Sequence, residues 1–176
     1  PINSLAVFDD GRGHALYAGG EFTTAGGVPA NRLARWNGSN WSAVYDDIRG
    51  NVTSMTVLND GKLPPRLVVS AESNGGINAW DGVTWTRVAY PGSISGRVFT
   101  LDLDADGPEP QQLFAGSPFS QWIGDLWMRW TSDDSSIASA VLFDPDGPGP
   151  APRALLVGGG FSSINGVITS RLGTIW

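Results

Sequence analysis

The chain has no cysteine and a single histidine, His14. Without cysteine there are no disulfides, no thiolate metal ligands and no cysteine nucleophile. A zinc site needs several His or Cys ligands, so one histidine does not build one. Charge is sparse as well: charged residues make up 16% of the 176, with a net charge of −6. An acidic surface repels phosphate backbones, which argues against nucleic acid as a partner. No apolar run approaches the roughly 20 residues of a membrane-spanning helix, so no membrane span is expected. No window carries the apolar period of an amphipathic helix.

What the chain does hold is apolar and turn-forming. Hydrophobic residues reach 41%, too many for a solvated disordered chain. The 24 glycines and 12 prolines fall between apolar runs, as expected of many short strands joined by turns.

Four segments begin alike: SLAVFDDG (Ser4–Gly11), SMTVLNDG (Ser54–Gly61), TLDLDADG (Thr100–Gly107) and AVLFDPDG (Ala140–Gly147). Their closing glycines are spaced by 50, 46 and 40 residues. A second apolar run follows each: ALYAGGEF, RLVVSAES, QLFAGSPF and ALLVGGGF. A third run closes on tryptophan: RLARW, INAW, WMRW and RLGTIW. In the first two repeats a fourth run opens on tryptophan, WSAV and WTRV. Each run is short, β-prone and bounded by Gly, Asp, Asn or Pro, and each reads as a strand. Asp-Gly and Asn-Gly at the joins supply the positive φ of tight hairpins. Each unit is therefore expected to be a four-stranded antiparallel meander, strands a to d. A period of about 40–50 residues with four strands predicts an all-β fold, a β-propeller of four-stranded antiparallel blades. The approximate blades are 1–49, 50–97, 98–138 and 139–176, the last without its final strand.

A Gly-Gly doublet ending strand b, paired with a tryptophan opening strand d, resembles the kelch family. The matching residues are Gly19-Gly20 with Trp41 and, more loosely, Gly75-Gly76 with Trp85. The wording FDDGRGHALYAGGEFTTAGGVPANRLARWNGSNW is similar to kelch-like tandem repeats of secreted bacterial proteins, and FDPDGPGPAPRALLVGGGFSSINGV repeats it. The resemblance covers nearly the whole chain and implies a propeller, with little said about activity. Departures exist. Repeat 2 has Ser70-Ala71 for the doublet, repeat 3 has Ala115-Gly116 and no recognisable strand d, and repeat 4 has Ile175 where Trp36 would fall.

The sequence ends in strand c of the fourth repeat. One expectation is a segment of a longer propeller of roughly six to eight blades. The other is a four-repeat unit whose open blade edge is completed by other chains through strand addition.

The best metal candidate is DLDADGPE. Asp102, Asp104 and Asp106, followed by Gly107, resemble the opening of a calcium loop, with Glu109 as a further oxygen. The competing reading is an ordinary acidic turn, and Pro108 and Pro110 break the usual ligand spacing. His14 reads as a solvated turn residue, and no GxSxG elbow supports a serine triad. Asp46-Asp47 and Asp133-Asp134 are adjacent pairs, which do not flank a glycosidic bond by themselves. The b–c connections TTAGGVPAN and SSINGVITS are long, polar and alike, as binding loops often are. Repeat 3 puts SQWIGD there, so Trp122, with Gln121 and Asp125, is the candidate ligand-binding set for a glycan or protein. Trp36 and Trp41 read instead as structural, packing between blades.

The sequence thus predicts a non-catalytic binding or scaffold module of a secreted or surface bacterial protein. The alternatives are a polysaccharide-acting enzyme on a propeller and a subunit of an extracellular assembly.

Overall fold

The computed structural model describes residues 1–44, 50–72, 76–89, 95–101, 111–123, 126–130, 136–144, 154–164, 167–168 and 172–175. Among them the chain is all strand and turn. The first sheet contains β1 (Ile2–Asp9), β2 (His14–Gly20), β5 (Leu33–Trp36) and β6 (Trp41–Ala43), antiparallel and in chain order. Between β2 and β5 the polar TTAGGVP stretch is a small hairpin of its own, β3 (Thr24–Ala25) with β4 (Val28–Pro29). The second sheet is β7 (Val52–Leu58), β8 (Arg66–Ala71), β9 (Gly76–Trp80) and β10 (Trp85–Ala89). The third is β11 (Ser95–Leu101), β12 (Gln112–Ser117), β13 (Phe119–Ile123) and β14 (Leu126–Arg129). The fourth joins β15 (Ser136–Phe143), β16 (Ala154–Gly160) and β19 (Leu172–Ile175). Its insert repeats that of the first, as the hairpin β17 (Ser163–Ile164) and β18 (Val167–Ile168).

The expected meander is present, but the third repeat corrects the strand assignment. WMRW is not strand c. Its Trp127–Arg129 belong to β14, the fourth strand, so this repeat has a strand d after all. Strand c is Phe119–Ile123, and Trp122 lies inside it rather than in a loop. The b–c connection here has shrunk to Pro118, after a cis peptide bond, where repeat 1 inserts a hairpin. Strand a of this repeat runs Ser95–Leu101, earlier than TLDLDADG suggests, and β15 likewise begins at Ser136.

The sheets stack face to face, because each strand alternates apolar residues to both sides. Phe8, Ala15, Tyr17 and Leu33 of the first sheet pack on Val52, Met55, Leu67 and Val69 of the second. Leu58, Val68, Ile77 and Ala79 on the second sheet's other face meet Val98, Leu113 and Ala115 of the third. Phe114 and Phe119 of the third meet Ile137, Leu155 and Val157 of the fourth. Phe99, Phe114 and Phe119 lie nearly parallel there, with centroids 5.7–6.3 Å apart.

One position on the second strand accounts for the first glycine of the doublet and for its replacement. A Cβ at Gly19 would lie 2.5 Å from Val52 Cγ1, and one at Gly116 would lie 2.3 Å from the Ile137 carbonyl oxygen. Glycine there lets the next sheet's first strand approach. The second sheet places Ser70 at this position, and its hydroxyl donates to the Gly96 carbonyl at 2.7 Å. Ser54 adds a hydroxyl bond to the Val98 carbonyl at 3.0 Å. At this position the second sheet thus has a hydrogen bond where the first and third have a close glycine contact.

Candidate functional site

The buried charged cluster of the described residues grows out of the DDGRG turn between β1 and β2. Asp9 Oδ1 accepts from the backbone N–H groups of Gly11 and Gly13, at 2.9 and 3.0 Å. This holds the turn and carries Asp10 inward, where its side chain is fully buried. Tyr17 donates its hydroxyl to Asp10 Oδ2 at 2.7 Å. Arg12 donates Nε to the same oxygen at 3.0 Å and also engages it through Nη2. From β5, Arg35 places Nη2 3.3 Å from Oδ1 and Nε 3.0 Å from Oδ2.

Burial opposes ionisation of Asp10. The bonds from the Arg12 side chain, Tyr17 and the Arg12 backbone, with the Arg35 charge, outweigh it and hold the carboxyl well below the usual range. Tyr17 is pushed up to about 12, first by burial and then by its bond to the Asp10 carboxylate. Both oxygens of Asp10 are occupied by cations and donors from its own sheet, which leaves it as a clamp between turn and strand. The second repeat carries a smaller version, with Arg66 Nη2 2.6 Å from Asp60 Oδ2.

The c–d hairpins of the first two sheets have the same side-chain-capped turn. Asn37 Oδ1 accepts from the N–H groups of Ser39 and Asn40, at 3.0 and 2.8 Å. Asp81 Oδ1 accepts from Val83 and Thr84, at 2.7 and 2.6 Å. Those backbone bonds from Thr84 and Val83 hold the Asp81 pKa down. In each of the first three sheets strands c and d face a tryptophan against a tryptophan: Trp36 with Trp41, Trp80 with Trp85, and Trp122 with Trp127, cross-strand pairs with centroids 5.1–5.5 Å apart.

These pairs differ in what they touch. Trp80 and Trp85 pack into the core between the first and second sheets. Trp122 and Trp127 pack into the core between the second and third, and Trp127 Nε1 donates to the Val88 carbonyl at 3.2 Å. Trp36 and Trp41 are half-buried on the outer face of the first sheet, with the β3–β4 hairpin folded over Trp41.

Of the residues singled out in the sequence, Trp122 is therefore engaged in packing between sheets. Gln121 lies on the opposite face of β13 and bonds Gln112. Asp125 lies outside the described residues, as do the four calcium candidates Asp102, Asp104, Asp106 and Glu109 and both Asp-Asp pairs. His14 opens β2 opposite Asp9 and is exposed. Among the described residues no three His, Cys, Asp or Glu side chains gather as metal ligands, and no helix is long and apolar enough to cross a membrane. Sequence reasoning missed the Asp10–Tyr17–Arg35 clamp. Its available signal was Arg35 on the same strand face as the buried Leu33, a break in an otherwise apolar alternation.

No family model, no curated protein and no solved structure matches the chain.

Proposed function

We propose that the chain is a non-catalytic scaffold or binding module of kelch-like β-propeller blades, belonging to a secreted or surface bacterial protein. The observation that carries this reading is the use made of the residues that look chemical. The buried carboxylate Asp10 is saturated by Arg12, Tyr17 and Arg35. Trp122, the tryptophan singled out in sequence as a binding candidate, packs with Trp127 against the preceding sheet, as Trp80 and Trp85 do in the second sheet. Four-stranded antiparallel sheets stacked through equivalent faces support the blade interpretation.

Incubation with a panel of polysaccharides, read both as reducing ends released and as retention on the polymer, tests the proposal. The expected result is no release above the buffer blank. Release that scales with protein concentration, and that survives further purification, would replace the scaffold with the polysaccharide-acting enzyme.

A further inference from the structure

The four sheets repeat not only a topology but a docking face, and on one copy of that face, among the described residues, no neighbouring sheet is packed. Strand register makes the comparison residue by residue. Leu5 opposite Ala18, Met55 opposite Val69, and Val98 opposite Ala115 are one position repeated three times. Met55 is 7% exposed and Val98 3%, each under the preceding sheet, while Leu5 is 57% exposed. Ile2 is exposed where its equivalents Val52 and Ile137 are buried. Val7 is exposed where Val57 packs into the core. The turn follows the same rule. A Cβ at Gly82 would lie 2.3 Å from the Asp10 carbonyl oxygen of the first sheet, whereas the equivalent Gly38 has nothing within 4 Å.

The complementary face is also present and also open. The first sheet covers the second with Phe8, Tyr17 and Leu33. In the fourth sheet, register assigns those positions to Phe143, Leu156 and Leu172. Phe8 is 2% exposed and Phe143 50%, and Leu172 and Val141 are exposed as well. The molecule thus displays one half of its own sheet-to-sheet joint on the first sheet and the other half on the fourth.

We infer that the outer face of the first sheet, centred on Leu5, Val7 and Trp36, is a self-association site that receives the outer face of the fourth sheet of a second copy of this chain. Such a contact uses two different surfaces, so it adds copies head to tail instead of closing a symmetric dimer. It continues the interface already made three times within the chain through equivalent positions. The inference goes beyond the scaffold proposal, which is decided by turnover and not by assembly.

The experiment is sedimentation velocity over a concentration series, with near-ultraviolet circular dichroism confirming native packing of each variant. One variant carries Leu5→Lys and Val7→Lys, blocking the first sheet. The other carries Val141→Asp and Phe143→Asp, blocking the fourth. All four sites are exposed. The wild-type chain should form dimers and longer species as concentration rises. Each variant alone should sediment as a monomer, and an equimolar mixture should give dimers and nothing larger, because only one working joint remains. A wild-type chain that stays monomeric at every concentration would overturn the inference. So would a mixture of folded variants that stays monomeric, or a fourth-sheet variant that still dimerises alone, which would mean that first-sheet faces pair with each other.

Discussion

Gly82→Ala and Gly38→Ala form a matched pair that isolates the contact between the first two sheets. Both glycines occupy the second position of a capped c–d turn, with φ of +103° and +97°. An alanine therefore meets the same backbone penalty at either site, about 1–3 kcal/mol. The surroundings differ. At Gly82 the new methyl would lie 2.3 Å from the Asp10 carbonyl oxygen and 2.9 Å from its carbon, both backbone atoms that do not swing aside. At Gly38 it would meet open space. Forcing an extra methyl into a packed contact costs about 1–3 kcal/mol, and that is the expected difference between the variants. At roughly 2–4 °C per kcal/mol for a chain of this size, Gly82→Ala should melt about 2–12 °C below Gly38→Ala. Differential scanning calorimetry of the two proteins at equal concentration reads this directly. Equal melting temperatures would refute the docking of the second sheet's turn on Asp10.

Further outcomes follow from the same contacts. Asp10 has its pKa lowered by folding, so its stabilisation is complete above the unfolded value of about 3.9 and is lost as pH falls through the folded one. Asp10→Asn should flatten the acid limb of stability against pH, and should cost about 3–5 kcal/mol near neutrality by leaving Arg35 buried without its anion. Tyr17 is raised from 10.0 to about 12, so its contribution is complete below pH 10 and is lost as pH rises toward 12. Ultraviolet titration of the folded protein should show a late tyrosinate that Tyr17→Phe removes. Leu67→Ala, in the core between the first two sheets, should cost about 2–5 kcal/mol in a denaturant melt, and Leu16→Ala at the equivalent outer position distinctly less. Asp81→Asn should retain native stability at neutral pH, since Asn37 caps the same turn in the first repeat, and should lose the acid sensitivity of the Asp81 cap.

Much of the strand pattern was legible because every repeat writes apolar runs of similar length between glycine-rich turns. The Trp-x-x-x-x-Trp hairpins at Trp36–Trp41 and Trp80–Trp85 also announced their own geometry, since Asn37 and Asp81 cap a turn locally. The third repeat was misread where local signals and tertiary pairing parted. Ser117-Pro118 looks like the start of a loop, yet Phe119 already pairs with Gly116 across just these two residues. Trp122 then looks solvent-facing only if the strand beneath it is missed. The Asp10 clamp was invisible because its members are separated in sequence by as many as 25 residues and meet only after β2 and β5 pair. Nor does the sequence distinguish Leu5 from Met55. Identical patterning creates both, and only the stacking of sheets covers one and leaves the other bare.

The equivalence of the sheets, with one face left open, is tested most directly by thiol reactivity. The chain has no cysteine, so single replacements report without background. Leu5→Cys, Met55→Cys and Val98→Cys sit at one register position in three successive sheets. In dilute native protein, a soluble thiol reagent should modify Leu5→Cys nearly as fast as the unfolded chain. Met55→Cys and Val98→Cys should be strongly protected until denaturant is added. Equal, fast modification at all three positions would contradict the stacked arrangement on which the account rests.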